Sequence, residues 1–272
     1  MDERTFVDRH GVAVFTRWWP VDEPLGVVLI AHGASEHSGR YDRFARALNA
    51  AGYGAVAIDH RGHGRTGAST GAGLMGAGGG HAVIDDLHEL RAQIGGSAPL
   101  FLFGHSMGSM IGLAYLVEHA AGLTGGILCG FAADVTDAGA MLPALRQVAE
   151  AGQRDEPAAG RLAAYNAPFE PARTPYDWLS RDPAEVDRYV ADPLCGDDNP
   201  LTYGYVLDLF EVVAPAPARL AGISCPVLVI AGDQDPAAAN GANPTELADG
   251  LRWDQKRTVP GIQPLRPSFT TT

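Results

Sequence analysis

Three cysteines in 272 residues, Cys129, Cys195 and Cys225, are too few and too scattered for a disulfide framework or a cysteine-rich zinc site. They read as small core or loop residues, and neither a metal nor a cofactor is expected. Positive charge is also scarce. Lys and Arg number 20 against 32 Asp and Glu, a formal charge of −12, and with no basic run a nucleic-acid partner or an anionic membrane surface is disfavoured. No apolar run is long enough to span a bilayer, and the polar stretch Met1 to His10 lacks the make-up of a signal peptide. A cytoplasmic protein with no stable membrane anchor is therefore expected. H-E-x-x-H does not occur, and the glycine-rich stretch Gly71 to Gly80 has no P-loop lysine, which argues against metalloprotease and nucleotide chemistry. Histidine is missing from the C-terminal part: His10, His32, His37, His60, His63, His81, His88, His105 and His119 are the nine, and the 272 minus 235, or 37, residues after Asp235 hold none.

What is present is alternation. Arg4 to Asp8 and Val12 to Trp18, with His10-Gly11 between them, predict a hairpin. Short apolar runs at Val27 to Ala31, Ala55 to Ile58, Leu100 to Phe103, Gly126 to Cys129 and Val227 to Ala231 have the character of strands buried on both faces. Tyr41 to Ala51, Val83 to Ile94 and Met107 to His119 carry helical spacing and separate those runs. The expected fold is α/β, a mostly parallel sheet with helices on both faces. Gly71 to Gly80 reads as a flexible, linker-like segment. From about Ala132 to Leu220 strand runs stop and prolines cut short helical pieces, which predicts an inserted helical cap. The aromatic residues of that segment, Phe169, Tyr176, Trp178, Tyr189, Tyr203, Tyr205 and Phe210, would roof an apolar pocket or simply pack the cap on itself. The domain reading is a core of 1–131 and 221–251, a cap of 132–220 and an atypical tail of 252–272.

Gly104-His105-Ser106-Met107-Gly108 follows one strand and opens a helix, the setting in which G-x-S-x-G presents a nucleophile. Ser106 is the candidate nucleophile, and the Met107 N–H at the helix start is a candidate oxyanion donor. His32-Gly33-Ala34 ends an earlier strand, where the Ala34 N–H would be the second donor, with Gly33 allowing close approach and His32 bonding the loop. Asp233 and Asp235 follow the last strand; either supplies a carboxylate or caps the turn. His105 is expected to point away from the Ser106 hydroxyl, while His32 and His37 lie on the loop that approaches it. His60 and His63 read as packing residues.

Three blocks, His32 to Tyr41 (HGASEHSGRY), Asp59 to Gly64 (DHRGHG) and Gly104 to Gly108 (GHSMG), resemble the signatures of monoacylglycerol-lipase-like hydrolases of the α/β-hydrolase superfamily, also called lysophospholipase-like or serine-aminopeptidase-like. Trp178 to Val186 and Ala191 to Gly196 resemble the bacterial lysophospholipase-like branch. The resemblance implies an α/β-hydrolase fold and a serine hydrolase of small lipid-like carboxylic esters, with Asp235 as triad acid by the G-x-x-D spacing. It also implies a base after Asp235, in the order Ser, Asp, His. None is found, and Pro264 stands at the histidine place of a short Pro260-Gly261 match. The C-terminal strand and helix are therefore expected to be missing or non-native beyond Leu251, and the chain either hydrolyses esters poorly or is a non-catalytic ligand-binding member of the fold. A dehalogenase is disfavoured because Ser106 occupies the place of its aspartate. Ser109 replaces a glycine common among relatives, a mild departure.

Overall fold

The computed structural model describes residues 1–131, 134–158 and 164–251. Seven strands form one sheet in the order β1-β2-β4-β3-β5-β6-β7: β1 (Asp2–Val7), β2 (Ala13–Trp19), β3 (Gly26–Ala31), β4 (Tyr53–Ile58), β5 (Leu100–His105), β6 (Gly125–Cys129) and β7 (Val227–Ile230). β1 and β2 form the predicted hairpin, antiparallel to each other, and β2 is antiparallel to β4; every pairing from β4 to β7 is parallel. The hairpin turn is held by Asp8, whose carboxylate accepts from the His10 and Val12 N–H groups, both at 2.8 Å.

The helices are α1 (Asp42–Ala50), α2 (Gly79–Gln93), α3 (Met107–His119), α4 (Asp134–Val148), α5 (Pro183–Val190), α6 (Tyr203–Val213) and α7 (Ala242–Leu251), with shorter turns between them. One face of the sheet packs Leu29, Val56, Ile58, Leu102 and Leu128 against Ile111, Leu113, Leu116, Leu87 and Phe210 from α2, α3 and α6. The other packs Val28, Ile30, Ala55 and Ala57 under Tyr41 and Ala45 around α1. Burial of these aliphatic side chains is the dominant stabilising term, at about 25 cal/mol per Å² of apolar surface.

Two expectations change. β7 is not buried on both faces: Val227 and Val229 reach the larger core, but Leu228 is 55% and Ile230 44% exposed. Ladder register aligns Leu228 with the half-buried Ile127 and Ile230 with Cys129, so among the described residues little covers the α1 face of the sheet near β7. Gly71 to Gly80 is no loose linker. Gly79 and Gly80 open α2, and a Cβ on Gly73 would fall 2.1 Å from the Pro200 carbonyl oxygen, one on Gly80 2.0 Å from that of Asp208. The glycines are needed because two backbones touch there. The Gly73 carbonyl accepts from the Thr202 N–H at 3.1 Å and hydroxyl at 2.9 Å, sealing this seam.

Between β6 and β7 the described residues form no strand, in keeping with the expected helical segment. Tyr176, Tyr189, Tyr205 and Phe210 are buried there by packing rather than lining an open roof. Arg252 to Thr272, including Pro260, Gly261 and Pro264, lie outside the described residues. No helix among the described residues is long and apolar enough to cross a membrane.

Candidate active site

β5 delivers the chain to Ser106 and α3 leaves from it. The serine is the residue before the helix, with φ 51° and ψ −120°. A positive φ at a non-glycine residue costs about 1–3 kcal/mol and persists only where neighbours enforce it. Here the Ser106 N–H donates to the Cys129 carbonyl at 2.9 Å, and its own carbonyl accepts from the Ser109 N–H at 2.8 Å. The flanking glycines are sterically required: a Cβ on Gly104 would lie 2.2 Å from the Gly108 oxygen, and one on Gly108 2.1 Å from the Ala31 oxygen. Met107 begins α3, so its N–H belongs to the first helical turn, where no intrahelical carbonyl is available.

Ser109 proves more than a mild departure. Its hydroxyl donates to the Ser106 carbonyl at 2.6 Å, adding a second tie across the strained turn. Ser109→Ala is expected to lose about 1 kcal/mol of stability, seen as a lower urea midpoint at unchanged m-value; an unshifted midpoint would show that the tie contributes nothing.

The loop after β3 meets the serine from the other side. A Cβ on Gly33 would lie 3.2 Å from Ser106 Cβ and 3.4 Å from His105 Nδ1, so this glycine permits the close approach anticipated from sequence. Ser35 also has a left-handed φ of 51°. Its carbonyl accepts from the Tyr189 hydroxyl and the Gly196 N–H, both at 3.0 Å. The segment around α5 therefore braces the loop that carries Ala34.

Sequence reasoning missed Glu36. Buried at 3% exposure, its Oε1 accepts from the Gly33 N–H at 2.5 Å and the Tyr41 hydroxyl at 2.8 Å and lies 3.2 Å from His105 Nδ1. Oε2 accepts from Arg40 at 2.7 Å. Burial pushes its pKa up, but the hydrogen bond and charge of His105, with Arg40, outweigh it and hold the carboxyl well below the usual range. A glutamate in a glycine- and serine-rich loop was the available signal; its partner His105, 69 residues away, was not legible.

His105 is thus turned to Glu36 and Tyr41 through Nδ1. His37 does not approach the serine: its Nε2 lies 2.9 Å from Asp192 Oδ2. His32 is buried, with Nδ1 2.7 Å from the Gly33 carbonyl and Nε2 accepting from the His60 N–H at 2.9 Å. Nδ1 must therefore carry the only proton. No histidine hydrogen-bonds the Ser106 hydroxyl among the described residues.

His32, His60 and His63 pack together, with ring centroids 4.4 and 5.2 Å from His32. Burial lowers all three pKa values, that of His63 to about 3. Each is neutral when folded but titrates near 6.5 when unfolded, so their contribution is fully present above pH 6.5 and is lost as pH falls below it. Per histidine the slope approaches about 1.4 kcal/mol per pH unit, and for three about 4. Urea unfolding from pH 7.5 to 5 is expected to show stability falling with pH, less steeply in His60→Gln; a flat profile would contradict a neutral cluster.

After β7, Asp235 lies beside Gly130, and Asp233 faces solvent. A Cβ on Gly130 would be 3.7 Å from both Asp235 Oδ2 and His105 Nε2. Asp235 Oδ1 accepts from the Ala237 N–H at 3.0 Å, so this residue also caps its turn. Asp233 is solvent-exposed beside Arg181. Cys129 borders the site, its thiol pKa raised by burial and by the Asp235 charge.

A strained serine between a central parallel strand and its helix, with a glycine loop at its back, defines an α/β-hydrolase site. The family model described as serine aminopeptidase, S33, matches residues 22–259, and the chain belongs to this monoacylglycerol-lipase-like family of α/β-hydrolases. A monoacylglycerol lipase of Mycolicibacterium smegmatis is 34% identical over 244 residues, spanning 86% of this chain and 79% of that protein. The monoglyceride lipase of Homo sapiens is 28% identical over 84% of this chain and 72% of its own. Among solved structures, a thermostable carboxyl esterase from Bacillus coagulans superposes with a TM-score of 0.83 at 31% identity, over 93% of this chain and 86% of that one.

Proposed function

We propose that the chain is a serine hydrolase scaffold for small lipid-like carboxylic esters of the monoacylglycerol or lysophospholipid class. Ser106 is the nucleophile, the N–H groups of Ala34 and Met107 are the oxyanion donors, and Asp235 is the acid. Residues 132–220 act as a helical cap over the core formed by 1–131 and 221–251. The observation that carries this reading is the left-handed Ser106 between Gly104 and Gly108, a strain with no structural purpose unless the hydroxyl is to be presented. The names of the lipase and esterase relatives support the ester class.

In the reaction the Ser106 Oγ attacks the ester carbonyl, and the developing oxyanion is met by backbone N–H groups that need no reorganisation. The alcohol leaves and water then cleaves the acyl-enzyme. Proton removal from Ser106 is the weak step, because no histidine follows Asp235 in this chain. A second reading, a ligand-binding member of the fold with no turnover, is favoured by that same absence. p-Nitrophenyl ester hydrolysis by the wild-type chain and Ser106→Ala separates the two. A slow rate that falls in the variant supports the hydrolase reading, and equal rates support the binding one.

A further inference from the structure

Outside the serine site, the fold brings His37 to Asp192 and Cys195, which lie 155 and 158 residues further along the sequence. His37, Asp192 and Cys195 each offer one ligand atom, and those atoms all lie within 4.8 Å of one another. We infer that His37 Nε2, one Asp192 carboxylate oxygen and Cys195 Sγ form a binding site for a borderline-soft divalent cation of the zinc type, joining the loop after β3 to the segment after α5.

Donor chemistry and geometry support it. One imidazole, one carboxylate and one thiolate suit zinc, whose Zn–N and Zn–O bonds are about 2.0–2.2 Å and Zn–S about 2.3 Å. Tetrahedral angles then need ligand atoms roughly 3.3–3.7 Å apart. The His37–Asp192 pair at 2.9 Å must open slightly, and all three ligand atoms already lie within 4.8 Å of one another. His37 and Cys195 are buried at 7% and 5% exposure, while the Asp192 side chain, 27% exposed, leaves an entry route and room for water as fourth ligand.

Asp192 is already oriented: Oδ1 accepts from the Leu194 N–H at 2.9 Å, leaving Oδ2 directed at His37. Metal loading would release the Cys195 thiol proton to solvent and shift the imidazole proton from Nε2 to Nδ1. The shift gives up the 3.2 Å contact that Nδ1 accepts from the Gly39 N–H. Two anionic ligands then balance a dication. Arg40, the nearby cation, is matched by Glu36 at 2.7 Å and stacked on the Tyr189 ring, so it does not leave the site with an uncompensated positive charge. Because His37 and Asp192 sit on opposite sides of this junction, a bound metal would staple it.

The test is a Co²⁺ titration of the metal-stripped full chain under reducing conditions, followed by competition with Zn²⁺. Expected are a near-ultraviolet thiolate-to-cobalt charge-transfer band and visible bands of tetrahedral intensity, both erased by Zn²⁺. The charge-transfer band should vanish in Cys195→Ser and persist in Cys129→Ser and Cys225→Ser. His37→Gln and Asp192→Asn should weaken binding while each chain keeps its circular dichroism. No band in the wild type, or a band that survives Cys195→Ser, overturns the assignment. Should Cys195→Ser not fold, Asp192→Asn decides: undiminished Co²⁺ affinity there overturns it equally.

Discussion

Turnover of a p-nitrophenyl ester by this chain is expected to be on the order of 10⁶-fold slower than by a relative with a complete Ser-His-Asp set. In such a unit the three groups act together, and removing the base alone costs about as much as removing all of them. The loss corresponds to about 8 kcal/mol of barrier. His32 and His37 do not compensate, because their ring nitrogens are engaged by Gly33 and His60 and by Gly39 and Asp192, and His105 is held through Nδ1 by Glu36 and Tyr41 with no hydrogen bond to the Ser106 hydroxyl. Oxyanion donors and binding leave a residual acceleration on the order of 10³ over water. A kcat of about 1–10³ s⁻¹, the ordinary enzymatic range, would show that a base is present after all. His32→Ala, His37→Ala and His105→Ala would then locate it.

Arg61→Ala is expected to destabilise the chain by about 3–5 kcal/mol, the cost of breaking a buried ion pair from one side. The Arg61 guanidinium is fully buried; Nη2 bonds Asp8, Nε donates to Asp86 Oδ2 at 2.7 Å, and Nη1 donates to the Met75 carbonyl at 3.3 Å. Its removal leaves two carboxylates in the interior facing each other's charge. Burial already raises Asp86 to about 6 against the pull of Arg61. The variant should recover stability when Asp86→Asn is added, since one uncompensated charge is then gone. Urea midpoints of the single and double variants measure this, and additive losses would refute the coupling.

Legibility in the sequence followed the range of the interaction that fixes each feature. Ser106 was readable because its strain is imposed by Gly104 and Gly108, two residues either side. The strands and helices of the sheet were readable for the same reason, their periodicity being local. Glu36 and Arg61 were not singled out, and Tyr189 was read only as a cap aromatic, because each acts on partners brought near only by folding: His105, the Asp8–Asp86 pair, and Ser35. Gly71 to Gly80 read as a linker because a glycine run shows its freedom and hides the backbones that Gly73 and Gly80 touch. Asp235 and Asp233 were both available after the last strand, and the G-x-x-D spacing of the resemblance chose Asp235, which the turn places beside Gly130.

Ser106 is proposed as a presented nucleophile in a chain with no histidine after Asp235. Prolonged exposure to a fluorophosphonate, followed by intact-mass and peptide mapping, tests this role most directly. Expected is one slowly formed phosphonyl adduct, on Ser106, absent from Ser106→Ala. No adduct, or an adduct of equal yield in Ser106→Ala, would contradict it.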